Sequence, residues 1–344
     1  MVNKPPTMRE VAELAGVSIQ TVSCVVNGTG SISPQTRTRV LRAIDQLNYR
    51  RDPIARSMRT RRTRLIGLLV LDITNPVLSV IASAVESAAH HHGYKVVLSN
   101  ISMDPDREHE SLEALAGGLV DGLIIVNMVD RVRTCRFLLE EQLHTVLIDC
   151  LPESDLPSVG VDNVRAAYLA TRHAIDLGHQ RIAHLAGSST LWMAQQRIQG
   201  YRQALAEHEL TYQHVIVSPS ERWDYQAGYE AMRQLLRHAP LPTAIFAASD
   251  QMAIGAYRAI AEAGLRIPDD LSVIGFDDME AASFAVPPLT TIRQPFTELA
   301  SNAVDLLLQL IAGQRPESTQ LVLPPELIIR GSTAEVPGEH QAGA

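Results

Sequence analysis

Asp72, Asn127, Asp149, Asp250 and Asp277 each stand at or just past the end of a short aliphatic run. Carboxylates and amides in such places can accept hydrogens from several hydroxyls of one ligand, and the carboxyl ends of strands are where open α/β sheets hold their ligands. The competing reading of any single aspartate there is a helix cap. Near the amino end, Ile19, Gln20, Thr21, Ser23 and Cys24 follow the turn-forming Gly16, Val17 and Ser18. Gln20 can pair with adenine through two hydrogen bonds, Ile19 can pack on a thymine methyl, and Thr21, Ser23 and Thr36 suit phosphate oxygens.

Other chemistries fail on spacing. His90, His91 and His92 are consecutive, so on a helix their side chains diverge by about 100° each and cannot converge on one metal ion. His109 and Glu110 are followed by Glu113 rather than a second histidine, so the zinc-protease pattern is absent. Gly28, Gly30 and Ser33 imitate a dinucleotide loop but follow a helical stretch instead of a strand. Cys24, Cys135 and Cys150 are odd in number and widely spaced, which suits reduced thiols. No nucleophile has a base at motif spacing, so neither an enzyme nor a bound metal or cofactor is expected.

Charge divides the chain in two. Residues 1–64 carry 12 Lys and Arg against 4 Asp and Glu, a charge of +8, while the remainder carries 18 against 34, or −16. A basic module joined to an acidic one suggests polyanion binding at one end only. The 344 residues, 46% of them hydrophobic, suffice for two or three domains. No apolar run reaches the roughly 20 residues of a membrane span, and Met1–Lys4 lead into polar sequence, so a cytoplasmic location without membrane contact is expected.

The elements that must position these residues follow from periodicity. Thr7 and Glu10 form a capping box ahead of Val11, Leu14 and Ala15, which share a predicted helical face. Ser18 can cap a second helix with Val22, Val25 and Val26 as its stripe. Ser33 and Pro34 open a third, with Val40, Ala43, Ile44 and Leu47 on one face. Two helices joined by a three-residue turn lay the second in a DNA major groove. From Leu65 the runs LIGLLVLD, YKVVLSN, DGLIIV, HTVLID, RIAHLAG, HVIVS, TAIFAASD and LSVIGFDD alternate with helical stretches, the pattern of parallel strands with crossover helices.

The segment TMREVAELAGVSIQTVSCVVNGTGSISPQTRTRVLRAIDQLNYRRDPIARSMR resembles, nearly residue for residue, the headpiece of the LacI/GalR family of bacterial transcription regulators, and the similarity runs to about residue 333. The resemblance implies an α-helical helix-turn-helix headpiece plus an α/β two-lobed periplasmic-binding-protein-like (type I) sensor domain. The implied division is headpiece 1–50, hinge helix or linker 51–63, one lobe from 64–162 plus 295–322, a second from 163–294 plus 323–333, and a disordered tail 334–344. The chain would cross between lobes near Asp162 and Asn163, around Arg293 to Pro295 and near Leu323.

The family pattern adds Thr7, Ser18 and Asn27 to the expected DNA-contacting set. It places Ala55 and Met58 in a hinge helix that orders on DNA, Met58 replacing the usual leucine wedge; the alternative is a flexible arginine-rich linker. At Cys24 the family usually has an arginine that reads guanine, a contact a thiol cannot make. Ligand contacts implied by the resemblance are Asp72, Asn75, Asn127, Asp149, Asp162, Met193, Arg197 in QRIQGY, Trp223 in ERWDYQAGY, Ser249 and Asp250 in ASDQMAIGA, Asp277 in GFDD and Gln294 in TIRQPF. Met103 and Met193 stand where some sugar-binding members carry polar groups.

The expected protein is a homodimeric repressor of carbohydrate genes. It would bind a palindromic operator in double-stranded DNA, under control of a small molecule, a sugar or sugar derivative, in the interlobe cleft. The alternative is a corepressed regulator answering a purine or other metabolite. A secreted solute-binding protein would share the sensor fold but not the basic first 64 residues. After Arg330 the sequence lacks leucine heptads, so no tetramerising coiled coil is expected.

Overall fold

The computed structural model describes residues 6–50, 62–149, 156–211, 213–218 and 222–336, and the chain falls into two units, Met1–Thr63 and Arg64–Ala344. Ala55 and Met58 of the expected hinge, and Cys150, lie outside the described residues.

In the first unit, Thr7 N–H donates to Glu10 Oε2 at 2.6 Å and Glu10 N–H to Thr7 Oγ1 at 3.4 Å. This reciprocal box starts α1 (Met8–Ala15), which Gly16 ends in the left-handed region at φ 62°. Ser18 Oγ accepts Thr21 N–H at 3.1 Å and opens α2 (Ile19–Asn27); Ser33 and Pro34 open α3 (Pro34–Leu47). Val11, Ala12, Ala15, Val22, Val25, Val40 and Ala43 are buried together, with Val26, Ile44 and Leu47 partly buried against them. Leu14, expected on that core, is 46% exposed. At about 100° per residue the buried arc is centred between Val11 and Ala12, beside Ala15, and leaves Leu14 at its edge.

The second unit is built on two six-stranded sheets. The first takes β1 (Leu65–Val70), β2 (Lys95–Asn100), β3 (Gly122–Val126), β4 (Thr145–Ile148), β5 (Ser158–Val161) and β11 (Gln320–Leu323), in the order β11-β5-β4-β3-β1-β2. Every pairing in it is parallel. Three crossover helices, α4 (Pro76–His91), α5 (Pro105–Ala116) and α6 (Arg131–Glu141), link its strands.

The second sheet takes β6 (Ile182–Ala186), β7 (Gln213–Val217), β8 (Ala244–Ala247), β9 (Ser272–Asp277), β10 (Thr290–Arg293) and β12 (Glu326–Ile328), in the order β12-β10-β9-β8-β6-β7. Only β12 runs antiparallel to its neighbour. Its helices are α7 (Asn163–Asp176), α8 (Trp192–Glu207), α9 (Tyr225–Leu235), α10 (Asp250–Glu262) and the short α11 (Glu280–Phe284). The chain leaves the first sheet after β5, returns after β10 to form α12 (Phe296–Ile311) and β11, then joins the second again at β12.

Strand alternation builds a separate core on each face of the second sheet. Ala244, Phe246, Ile274 and Phe276 meet Ala166, Ala170 and Tyr201 on one side. Ile245, Ala247 and Val273 meet Ala231, Met252 and Ala256 on the other. On that second side α9 and α10 cross backbone to backbone. A Cβ at Gly255 would stand 1.9 Å from Tyr225 O, and one at Gly228 2.0 Å from Met252 O, so only glycine permits the approach. The expected tail begins too early at 334: Ala334 N–H donates to Ser272 Oγ and Val336 N–H to Leu177 O, which ties these residues to the second sheet and α7.

Candidate functional site

On the first unit the exposed side of α2 presents Ile19, 45% exposed, and Gln20, with Ser23 and Cys24 half-buried beside them. Asn27 Nδ2 donates to Ser23 O and Oγ, at 2.6 and 2.9 Å, which fixes both side chains. Thr7, Ser18, Thr21 and Thr36 all serve helix starts: Ser18 Oγ lies 2.9 Å from Thr21 Oγ1, and Ser33 Oγ donates to Thr36 Oγ1 at the same distance. Hydroxyls at helix N-termini sit beside unpaired backbone N–H groups, a setting that favours phosphate oxygens. Arg9, Arg37, Arg39 and Arg42 are exposed on the same unit.

The second unit holds a cavity of about 600 Å³. It lies at the carboxyl ends of β1, β3, β6 and β8, where each sheet's strand order reverses. Asp72, Asn75, Asn127, Asp149, Met193, Arg197, Trp223, Ser249, Asp277 and Gln294 line it. Three of them, at or just past strand ends, have unusual backbone conformations: Asn127 at φ 64°, Asp149 at 53° and Asp277 at 118°. Asp and Asn tolerate the left-handed region better than most residues, and such conformations persist only where surrounding structure holds them.

At the centre lies Arg197 of α8, 3% exposed. Its Nε donates to Asn163 Oδ1 at 2.8 Å and its Nη1 to Ala248 O, while the guanidinium carbon lies 3.5 Å from the Phe276 ring centre and 5.2 Å from that of Trp223. Asn163 Nδ2 donates in turn to Asp149 Oδ1 at 3.1 Å, and Gln294 Nε2 to Asp277 Oδ1 at 2.8 Å. Burial pulls the Arg197 pKa down against the pull of Asp277, Asp149 and Asp250. Burial likewise raises Asp149, opposed by Arg197 and Asn163, and pushes Asp277 up to about 7, opposed by Arg197 and Gln294.

Two expected contacts stand elsewhere. Asp250 is buried behind the wall, where it accepts the Thr291 hydroxyl and Met279 N–H; burial and then Asp277 raise its pKa. Its place in the first turn of α10 points it towards β9 and β10, and a Cβ at Gly275 would stand 2.3 Å from its Oδ1. Asp162 is exposed and caps α7, its Oδ1 accepting Arg165 N–H at 2.8 Å. It is the helix cap that a strand-end aspartate can equally be.

Asn163, the bridge from Asp149 to Arg197, is absent from the sequence-predicted set. Its only signal is its place at the expected first crossing, near Asp162 and Asn163. Arg222, Asp224, Ser188, Thr190 and Gln251 also line the cavity unpredicted, and Arg222 Nε is paired with Asp224 Oδ2 at 2.6 Å. Ser249 Oγ donates to Trp223 O at 3.0 Å and caps α10. Gly187 makes room for the Trp223 ring, from which a Cβ would stand 2.2 Å. Gln294 Oε1 and Trp223 Nε1, an acceptor and a donor on cavity-lining residues, are buried without partners.

Residues 7–52 match the model of bacterial regulatory proteins of the lacI family, and residues 171–333 that of a periplasmic binding protein-like domain. The ribose operon repressor of Haemophilus influenzae is 37% identical over 328 residues, covering 95% of this chain and 98% of the relative. The transcriptional repressor PurR of the same species is 36% identical over 339 residues, covering 96% and 99%. The Lac repressor dimer, solved bound to operator and the anti-inducer ONPF, superposes with a TM-score of 0.89 at 34% identity, covering 96% of this chain and all of that one. With similarity at this level along nearly its whole length, the chain belongs to the LacI family of bacterial regulatory proteins.

Proposed function

We propose that the protein is a dimeric repressor whose affinity for a palindromic operator is set by an uncharged sugar bound in the cavity of the second unit. The observation that carries the sugar reading is the charge balance of the cavity wall. Among the described residues, Asp72, Asp149, Asp224 and Asp277 line it with only two cations, Arg197 and Arg222. Arg197 is hydrogen-bonded to Asn163 beside Asp149 and Asp277, and Arg222 is paired with Asp224. An anionic ligand would meet surplus negative charge in a site that already disfavours ionised carboxylates, whereas hydroxyls can donate to those carboxylates and accept from Trp223 Nε1.

Trp223 is also the only aromatic side chain on the described cavity wall. One indole suits the apolar face of a sugar ring, while a purine offers two faces for stacking. The names of the relatives include both kinds of regulator, and this asymmetry supports the sugar. The cavity then senses rather than catalyses, and a bound sugar is recovered unchanged.

Thermal unfolding with D-ribose, other neutral pentoses and hexoses, D-ribose 5-phosphate and hypoxanthine tests this reading. A neutral sugar at about a hundred times its Kd adds about 2.7 kcal/mol of stability and raises Tm. DNA selected from random duplexes is expected to be palindromic, with its retention in a gel altered by the same sugar. Stabilisation by hypoxanthine or the phosphate alone would overturn the sugar assignment, and selection of no preferred duplex would overturn the regulator.

A further inference from the structure

Glu108 is 1% exposed, yet it lies outside the cavity wall and plays no part in the site described above. It occupies α5 one turn before Leu112, on the face that buries Leu112 and Leu115, where an apolar side chain would be the simple choice. Its carboxylate reaches the segment joining β3 to α6. Val129 N–H donates to Oε1 at 3.3 Å and Asp130 N–H to Oε2 at 2.9 Å. Asp130 in turn caps α6 through Arg133 N–H. A buried carboxylate persists only where such donors replace its lost water.

The segment it holds is a wall of the cavity. Asn127, in its left-handed conformation, and Val129 both line it. Asn127 N–H is tied to Ile148 O at one end of the segment, and Val129 and Asp130 are tied to Glu108 at the other. We propose that Glu108 is a positioning residue for the effector site, holding Asn127 and Val129 where a bound sugar meets them. This rests on the cavity being that site.

Removal of the carboxylate frees two backbone N–H groups and the backbone between them, so the wall must be ordered afresh when ligand binds. Glutamine at the same position keeps one acceptor oxygen and restores part of the hold.

The test uses the full-length protein, D-ribose as probe and calorimetric titration. Glu108→Ala is expected to weaken probe binding about tenfold or more, with Glu108→Gln returning to within about threefold of wild type. Leu115→Ala, which removes a buried leucine from the same helix and leaves the hydrogen bonds to Val129 and Asp130 in place, controls for general destabilisation. It lowers Tm and leaves probe affinity near wild type. Native-state amide exchange at Val129 and Asp130 quickens in Glu108→Ala and not in Leu115→Ala. Unchanged affinity in Glu108→Ala, equal losses in both variants, or no rescue by glutamine overturns the proposal. If wild type binds no D-ribose, the titration is repeated with the neutral sugar that raises Tm; if no neutral sugar does, the sugar reading fails by itself, and amide exchange still decides whether Glu108 holds the segment.

Discussion

A guanidinium as deeply buried as Arg197 has to be neutralised where it sits, and Asp149, Asp277 and Asp250 oversupply the negative charge. The excess surfaces as protons. Burial lifts the folded-state pKa of Asp277 from 3.8 to about 7. Between those values the folded protein holds a proton that the unfolded chain has released. Stability from this group is therefore full below about pH 4, declines as pH rises towards 7 and stays flat above. Asp277→Asn, neutral at every pH, is expected to flatten that part of the profile; urea midpoints at pH 5 and pH 8 measure it, and equal slopes in both proteins would refute the assignment. Cys24 calls for a second residue-scale test. A thiol half-buried in α2 offers no two-pronged donor to guanine. Cys24→Arg is expected to shift preference at one base pair towards guanine by about 1–3 kcal/mol, read by selecting binding sites for both proteins.

Elements are where local pattern and long-range contact divide the work. The crossing of α9 and α10 depends on Gly228 and Gly255, and a methyl at 255 would stand 1.9 Å from a carbonyl oxygen that the helix cannot move alone. Gly255→Ala should cost about 1–3 kcal/mol despite alanine's better helix propensity, seen as a lower Tm. That requirement is invisible in ASDQMAIGA, because nothing local names the helix it meets. The aliphatic runs coincide with β1 to β4 and β6 to β9; β3, β4, β6, β8 and β9, buried on both faces, read as continuous apolar sequence. β5, β10, β11 and β12 escape notice: SVGV, TTIR, QLVL and ELI are three or four residues long, and β11 finds its partner β5 some 160 residues away. The same limit applies in the cavity. Strand ends point to Asp72, Asn127, Asp149 and Asp277, but whether an aspartate faces the cavity, as Asp149 does, or caps a helix, as Asp162 does, depends on packing that arrives from elsewhere in the chain. Glu108 and Asn163 go unread for that reason, their partners lying 21, 22, 14 and 34 residues away.

For the whole molecule, a basic stretch of +8 joined to a remainder of −16 separates two kinds of binding that respond differently to salt. Operator binding releases counterions from DNA, so a protein neutralising about six phosphates loses roughly a thousandfold in affinity between 50 and 200 mM salt. An uncharged sugar releases none, and its affinity should stay level over that range. Linkage joins the two sites despite this difference. If the sugar changes the operator Kd by some factor, operator must change the sugar Kd by the same factor, and couplings of about 1–3 kcal/mol correspond to about 5- to 150-fold. Gel retention with and without D-ribose gives one side of the cycle, and calorimetry of D-ribose with and without saturating operator gives the other, both at one salt concentration. Equal factors are expected, and their direction states whether the sugar releases the protein from DNA or secures it there. An operator affinity that responds to D-ribose while D-ribose affinity ignores operator would break the cycle, and the cavity could not then be the control site of this repressor.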